Sequence, residues 1–162
     1  MKKQIVGLAV AVMVVSGLIT EGRVDAADNE REAVREAAQG FYAALNQLFV
    51  GELEPMKAVW SHREDVTYMG PGGGIRHGWK AVLADWEVQA AMKMGGTVER
   101  SDMRITIGTN LAVVTDYEIG KNLTADGKPM EVKIRATNVF RKEDGQWKMI
   151  GHHTDLLPSL VK

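Results

Sequence analysis

Three groups of residues in this chain carry side chains able to move a proton or hold a ligand. His152-His153-Thr154-Asp155 is the run in which potentially catalytic groups stand closest together. On a strand, His152 and His153 point to opposite faces, so at most one can enter an interior. A histidine placed there suits a general base near neutral pH. The plain alternative is a pair of structural histidines, satisfied by hydrogen bonds or set at a subunit interface. Asp116 and Glu118 share one face of a second strand. Turned inward, they would be buried carboxylates with raised pKa values and acid–base capability. The opposite row, Leu111, Val113, Thr115, Tyr117 and Ile119, is the more apolar one. Hydrophobic patterning therefore predicts that the two carboxylates point outward. Trp60, Tyr68, Trp79 and Trp86 form the third group. They could wall a cavity for a flat apolar molecule, or simply fill the core.

Several chemistries find no support. The four histidines show no repeated ligand spacing, so no metal site is expected. Ser61-His62 and Thr154-Asp155 do not assemble a nucleophile triad by spacing. Gly70-Pro71-Gly72-Gly73-Gly74 lacks the Lys-Ser/Thr ending of a phosphate loop and reads as a hairpin tip. With no cysteine, disulfides and thiolate chemistry are excluded, and no cofactor is expected. No basic stripe is present, which argues against nucleic acid as a partner.

The elements that must position these residues follow from periodicity and punctuation. Residues 1–26 have the layout of a secretory signal peptide: basic Met1-Lys2-Lys3, the apolar run Ile5–Ile19, and small residues at Val24-Asp25-Ala26 before Ala27. The run is shorter than the roughly 20 residues a spanning helix needs, so a cleaved signal with no stable membrane insertion after removal is expected, a retained N-terminal anchor being the alternative. This predicts a periplasmic or secreted protein whose single domain is residues 27–162. Asn29 with Glu32 predicts a helix start, and Val34, Ala37, Ala38, Phe41, Leu45, Leu48 and Phe49 follow helical spacing to a stop at Gly51. Pro55 opens a short second helix with Met56, Val59 and Trp60. Val66-Thr67-Tyr68 is a brief strand, and a third helix follows Gly78 with Trp79, Val82, Leu83 and Trp86 on one stripe. From Gly96 the chain is strand and turn: Ala112–Lys121, Met130–Arg141, and a strand from Trp147 after the Asp144-Gly145 reversal, with another reversal at Asp126-Gly127. Trp147 and Ile150 have opposite parity, which allows for a bulge between them. Gly108, Gly120 and Gly151 are placed to bend the sheet. The sum is an α+β domain: a cone in which helices pack on a strongly curved, mostly antiparallel sheet.

The order Phe41-Tyr42-Ala43-Ala44-Leu45-Asn46, Trp60-Ser61-His62, Asp65-Val66-Thr67-Tyr68-Met69-Gly70-Pro71, Gly78-Trp79, Ala136-Thr137-Asn138-Val139-Phe140 and Trp147-Lys148-Met149-Ile150 resembles the nuclear transport factor 2-like (NTF2-like) superfamily. Within it the chain is most similar to the SnoaL-like and ketosteroid-isomerase-like branch, from about Asn29 to Pro158. The resemblance implies the cone fold and a homodimer formed through the outer face of the sheet. It does not carry a reaction, since this fold hosts isomerases, dehydratases, cyclases, transport factors and association domains. Ketosteroid isomerases use an aspartate base before the first-strand proline, with a helix-1 tyrosine and a protonated aspartic acid as oxyanion donors. The corresponding positions here are Gly70, Phe41 and Ala136, with Tyr42 one residue away and about 100° around the helix. Steroid-isomerase chemistry in that form is not expected. From Gly108 through Leu156 the chain is also similar to the association domain of calcium/calmodulin-dependent protein kinase II. The pocket arginines of that domain would fall at Glu118, Asn138 and Thr154, so the resemblance implies a neutral to acidic pocket. Its register turns His152, Ile150 and Thr154 inward together with Glu118.

The function expected is binding of a small, mostly apolar molecule, with Trp60, Tyr68, Trp86, Glu118, Asn138, His152 and Thr154 as ligand-facing candidates. A general acid–base enzyme of isomerase, dehydratase or hydrolase type, led by His152, is the alternative. A homo-oligomeric association module is the third reading, marked by a cavity filled with Trp60, Trp86 and Tyr68.

Overall fold

A computed structural model of the protein describes residues 18–124 and 126–156, with side chains for residues 26–124 and 126–155. Most of the expected signal segment and the chain beyond Leu156 lie outside the described residues. Three helices come first in the chain, interrupted by a short hairpin: α1 (Leu18–Leu48), α2 (Glu54–Val59), β1 (Thr67–Met69), β2 (Arg76–His77) and α3 (Trp79–Met92). Four long strands follow, β3 (Thr97–Ile107), β4 (Leu111–Leu123), β5 (Pro129–Glu143) and β6 (Gln146–Leu156). They form one six-stranded sheet in the order β2-β1-β6-β5-β4-β3. All neighbours run antiparallel except β1 and β6, which are parallel.

The α1 stripe Val34, Ala38, Phe41, Tyr42, Leu45, Leu48 and Phe49 is buried against the inner face of the sheet, as its spacing requires. Its start is a correction: Asn29 is no cap, because α1 already runs from Leu18 and the expected cleavage point lies inside it. Nothing between Leu18 and Asn29 breaks a helix except Gly22, which a helix tolerates at a cost near 1 kcal/mol. Pro55 sits in the first turn of α2, and Met56 buries under it.

Two of the three candidate bending glycines act within the sheet. A Cβ on Gly120 would lie 2.0 Å from the Thr97 carbonyl oxygen, so β3 and β4 can approach only at glycine. Gly151 pairs with Val139 beside a register break, after which Phe140 pairs with Met149. Ile150 is the extra residue of this bulge, which reconciles the opposite parity of Trp147 and Ile150: Trp147 and Met149 point inward before it, His152 and Thr154 after it. Gly108 is a correction, since it lies in the β3–β4 turn, where its N–H donates to the Leu111 carbonyl at 2.7 Å. The Asp144-Gly145 reversal has positive φ at both residues (49° and 82°), the geometry of a two-residue hairpin. Among the described residues no helix is long and apolar enough to cross a membrane.

Candidate functional site

β4 alternates without a fault from Leu111 to Ile119, and the buried row is Ala112, Val114, Asp116 and Glu118. The outward expectation for Asp116 and Glu118 is therefore wrong; both are 4% exposed. Alternation reports that a strand has two faces and says nothing about which one is covered. Here the more apolar row, Leu111, Val113, Tyr117 and Ile119, lies on the outside.

The inward carboxylates meet a residue that the spacing reading passed over. Tyr42, one position beyond Phe41 on α1, is buried, and its hydroxyl donates to Asp116 Oδ1 at 2.7 Å. Glu118 Oε1 lies 3.2 Å from the same hydroxyl, and Asn138 Nδ2 donates to it at 3.3 Å. Asn138 Oδ1 is 2.5 Å from His152 Nδ1. With the Asn138 amide nitrogen turned to Tyr42, its oxygen must accept from His152 Nδ1–H. That fixes the imidazole tautomer and leaves the Nε2 lone pair free. Nε2 faces Glu118 Oε1 at 3.7 Å. The one signal in the sequence for Tyr42 was its adjacency to the family tyrosine position.

Burial dictates the protonation of this network. Removal from water pushes the Glu118 pKa up to about 8, with the charge of Asp116 adding to the shift and the Tyr42 hydrogen bond opposing it. Burial raises Asp116 less, to about 6, because Tyr42 donates to it and Arg100 lies near. Burial lowers His152 to about 3, with a smaller push from His153. Tyr42 is raised far above its ordinary value by burial and by the two carboxylates. At neutral pH, then, Glu118 holds its proton and His152 is a neutral imidazole, so their contact is a neutral pair and not an ion pair. The single Tyr42 proton goes to Asp116, and Glu118 can donate its own to the Tyr42 oxygen at 3.2 Å, while His152 Nε2, at 3.7 Å, lies beyond direct hydrogen-bond reach. Asp116 Oδ2 is buried without a partner.

Glu118 and His152 open onto a cavity of about 300 Å³. Its walls are largely apolar, with Leu45, Phe49, Trp86, Val98, Val132 and Ile134 among them. Tyr68 lies parallel to the His152 ring at 5.7 Å and edges onto Trp86 at 4.4 Å. Its hydroxyl accepts from Gln89 Nε2 at 2.9 Å, and burial raises its pKa to about 12. A Cβ on Gly70 would stand 2.2 Å from that hydroxyl. The place where a ketosteroid isomerase carries its base is thus filled by Tyr68.

Four of the seven ligand-facing candidates, Tyr68, Trp86, Glu118 and His152, line this cavity. Three do not. Trp60 packs behind Trp86 at 6.1 Å and bridges to Met149. Asn138 is wholly buried and acts on His152 from behind. Thr154 reaches the Met69 carbonyl at 3.4 Å, beside a separate surface cleft under the glycine loop. Trp79 lies away from the cavity, stacked on His62 at 4.3 Å. His153 faces the opposite side and pairs with Asp155 at 3.2 Å. Gln89, Asn122 and Met94 line the cavity without having been singled out by their spacing. Among the described residues no cluster of three or more histidines and carboxylates is placed to hold a metal ion.

Comparison with known proteins agrees with this geometry. A crystal structure of a proposed dehydratase of the NTF2-like family from Streptomyces avermitilis superposes with a TM-score of 0.72 at 24% identity, covering 80% of this chain and 97% of that one. A proposed calcium/calmodulin-dependent protein kinase type II association domain from Thiobacillus denitrificans gives 0.64 at 26% identity, covering 75% and 92%. A proposed ketosteroid isomerase from Shewanella frigidimarina gives 0.62 at 21%, covering 76% and 94%. In sequence, the F-box protein SKIP8 of Arabidopsis thaliana is 27% identical over 105 residues, 65% of this chain. The chain spans 42% of the length of that relative. The SnoaL-like domain model matches residues 34–156, which include every element from α2 to β6 and the stripe of α1 that roofs the cavity. The protein belongs to the SnoaL-like domain family, within the NTF2-like fold.

Proposed function

We propose that the protein binds a small, mostly apolar, uncharged molecule in its cone, anchored by one oxygen at Glu118 and His152. The observation that carries this reading is an apolar cavity of about 300 Å³ whose polar end is a protonated carboxyl beside a neutral imidazole. Among the described residues no lysine or arginine pairs with Glu118 or His152, and Lys133, which also lines the cavity, is paired with Glu131 at 3.1 Å. A carboxylate ligand would therefore meet no free counter-charge and an acidic Asp116 behind. A ketone, ester or hydroxyl group suits a carboxyl donor and an imidazole acceptor. The open cavity also lacks the mark set for a vestigial association module, since Trp86 and Tyr68 wall the space without filling it.

Acid–base turnover is the second reading, and the 3.7 Å Glu118–His152 contact favours it. Glu118 would give its proton to a developing oxyanion, and His152, its basicity lowered to about 3 by burial, would take only an already acidic ligand proton. We further propose a homodimer through the outer face of β4, supported by its exposed apolar row, and export directed by residues 1–26, supported by their basic, apolar and small-residue layout.

The test is titration of the purified protein with neutral ketones and phenols, followed by thermal shift and calorimetry. Glu118→Leu should weaken a ketone about tenfold or more, from the loss of one buried hydroxyl donor, whereas Glu118→Gln, whose amide still donates, should bind it nearly as well. His152→Ala should weaken binding modestly if the protein only binds, but abolish product formation if it turns the ligand over. Binding of carboxylates in preference to neutral analogues would sink the reading.

A further inference from the structure

The cavity does not end at its own walls. Beyond Met94 and Met130 lies a second, more open hollow of about 650 Å³, lined by Met92, Lys93, Met94, Leu123 and Met130 among others. Met94 and Met130 are shared by both spaces and form their common wall. The outer hollow is floored by chain that is pinned in place. Leu123 N–H donates to the Met94 carbonyl at 2.7 Å, Gly95 N–H to the Phe49 carbonyl at 2.8 Å, and Asn122 Nδ2 to the Gly95 carbonyl at 2.8 Å. Its side chains are nevertheless left in water: Met92 is 59% exposed, Met130 43% and Leu123 41%. Methionine is unbranched and adaptable, and suits a surface that must accept a flexible apolar chain.

From this continuity we propose that the ligand is an elongated amphiphile. Its neutral oxygen head lies against Glu118 and His152, and its unbranched apolar tail passes between Met94 and Met130 into the Met92–Leu123 hollow. This rests on the reading that the cavity takes a small apolar molecule and adds what kind: a linear-chain ketone, ester or alcohol, not a compact fused-ring one. Glu118, His152, Tyr68 and Gln89 stand together, with Glu118 3.7 Å from His152, the His152 ring 5.7 Å from Tyr68 and the Tyr68 hydroxyl 2.9 Å from Gln89, while Asn122, Glu131 and Lys133 also line the cavity. Val98, Val132 and Ile134 line the same cavity as Met94 and Met130 and give the tail apolar walls. A chain extended along it removes from water the methionines and the leucine that the fold leaves exposed.

The experiment is calorimetry of the full chain against linear methyl ketones from 2-hexanone to 2-dodecanone, with the bicyclic ketone 1-tetralone as comparator. Affinity is expected to climb about fourfold per methylene up to the longest members, the rise that burying each CH₂ gives. Leu123→Asp and Met92→Asp should flatten the climb for the long ketones and leave 2-hexanone unchanged. Because the short ketone never reaches the hollow, its unchanged binding also reports that the variants are folded. A plateau at short chains in the unaltered protein, with 1-tetralone binding as tightly as 2-dodecanone, would overturn the tail path while leaving the pocket reading intact. Binding of no ketone of either shape would overturn both. A fall in sedimentation coefficient caused by Leu123→Asp would assign the hollow to a contact between copies of this chain, and the tail path would fail.

Discussion

Glu118 and His152 shift in opposite directions on burial, and the consequence can be read in stability. Unfolded, Glu118 loses its proton near 4.5, whereas folded it keeps it to about 8. Across that interval the unfolded chain binds fewer protons, so stability falls as pH rises. His152 behaves oppositely: it would gain a proton near 6.5 when unfolded but not until about 3 when folded, so its contribution is lost as pH falls through that range. The two effects oppose one another between 4.5 and 6.5. Between 6.5 and 8 Glu118 dominates, because Asp116, raised to about 6, and the unfolded-state His152 are near the end of their titrations. The protein should therefore lose on the order of 1 kcal/mol between pH 6.5 and 8, since one proton is worth 1.36 kcal/mol per pH unit and Glu118 is half deprotonated by its folded pKa. Urea melts at the two pH values check this, and Glu118→Gln should remove the difference. An unchanged alkaline slope in that variant would mean that the carboxyl is ionised in the fold. Asn138 matters here through His152: with its amide set by Tyr42, it forces the proton onto Nδ1 and keeps Nε2 as an acceptor facing Glu118 at 3.7 Å.

At the scale of the elements, curvature places these side chains together, and Gly120 shows how. Its partner in β3 is Val98, the Thr97 carbonyl oxygen would sit 2.0 Å from an added Cβ, and the obstacle is backbone. No side chain can rotate away to relieve the contact. Gly120→Ala should cost about 3 kcal/mol or more, the upper range of overpacking. It should also loosen the β4 segment that carries Glu118. Amide exchange at Thr97–Arg100 and Tyr117–Lys121 would show faster opening there than in β6, and uniform exchange would place the strain elsewhere. The long strands, the Asp126-Gly127 and Asp144-Gly145 reversals and the α1 stripe were all legible in the sequence, because turn chemistry and period carry their own signal. The side of β4 that faces in was not, because its inner row holds two carboxylates and an asparagine while its outer row is apolar. Burial follows the roof that α1 provides, and that roof is a tertiary fact. Tyr42 was illegible for the same reason: one residue's rotation about α1 decides whether a tyrosine meets solvent or Asp116, and period alone tolerates both. The bulge at Ile150 was half legible, as a conflict of parity that only the pairing of Val139 with Gly151 and Phe140 with Met149 resolves.

At the scale of the whole molecule, the outer row of β4 asks for a partner. Leu111, Val113, Tyr117 and Ile119 run along one strand face at 46%, 37%, 38% and 45% exposure, flanked by β3 and β5 on a broad curved surface. A stable interface removes about 800 Å² from each partner, and a strand row of this length with its neighbours is of that order. A second copy of the chain suits it, since a two-fold contact sets the same row against itself. Ile119→Lys should then shift sedimentation from dimer to monomer at micromolar concentration. In the isolated subunit the substitution lies on an already wetted position and should change stability by no more than about 0.5 kcal/mol. Tyr117 and Ile119 flank Glu118 in sequence, so the proposed interface on one side of β4 and the carboxyl on the other would share three residues of backbone. Holding the outer face fixed also holds the Glu118 carboxyl at its distance from His152 Nε2. The monomeric variant should thus bind a ketone more weakly than the dimer although it touches nothing in the cavity. If Ile119→Lys stays dimeric, or becomes monomeric with affinity unchanged, the two faces of β4 act independently.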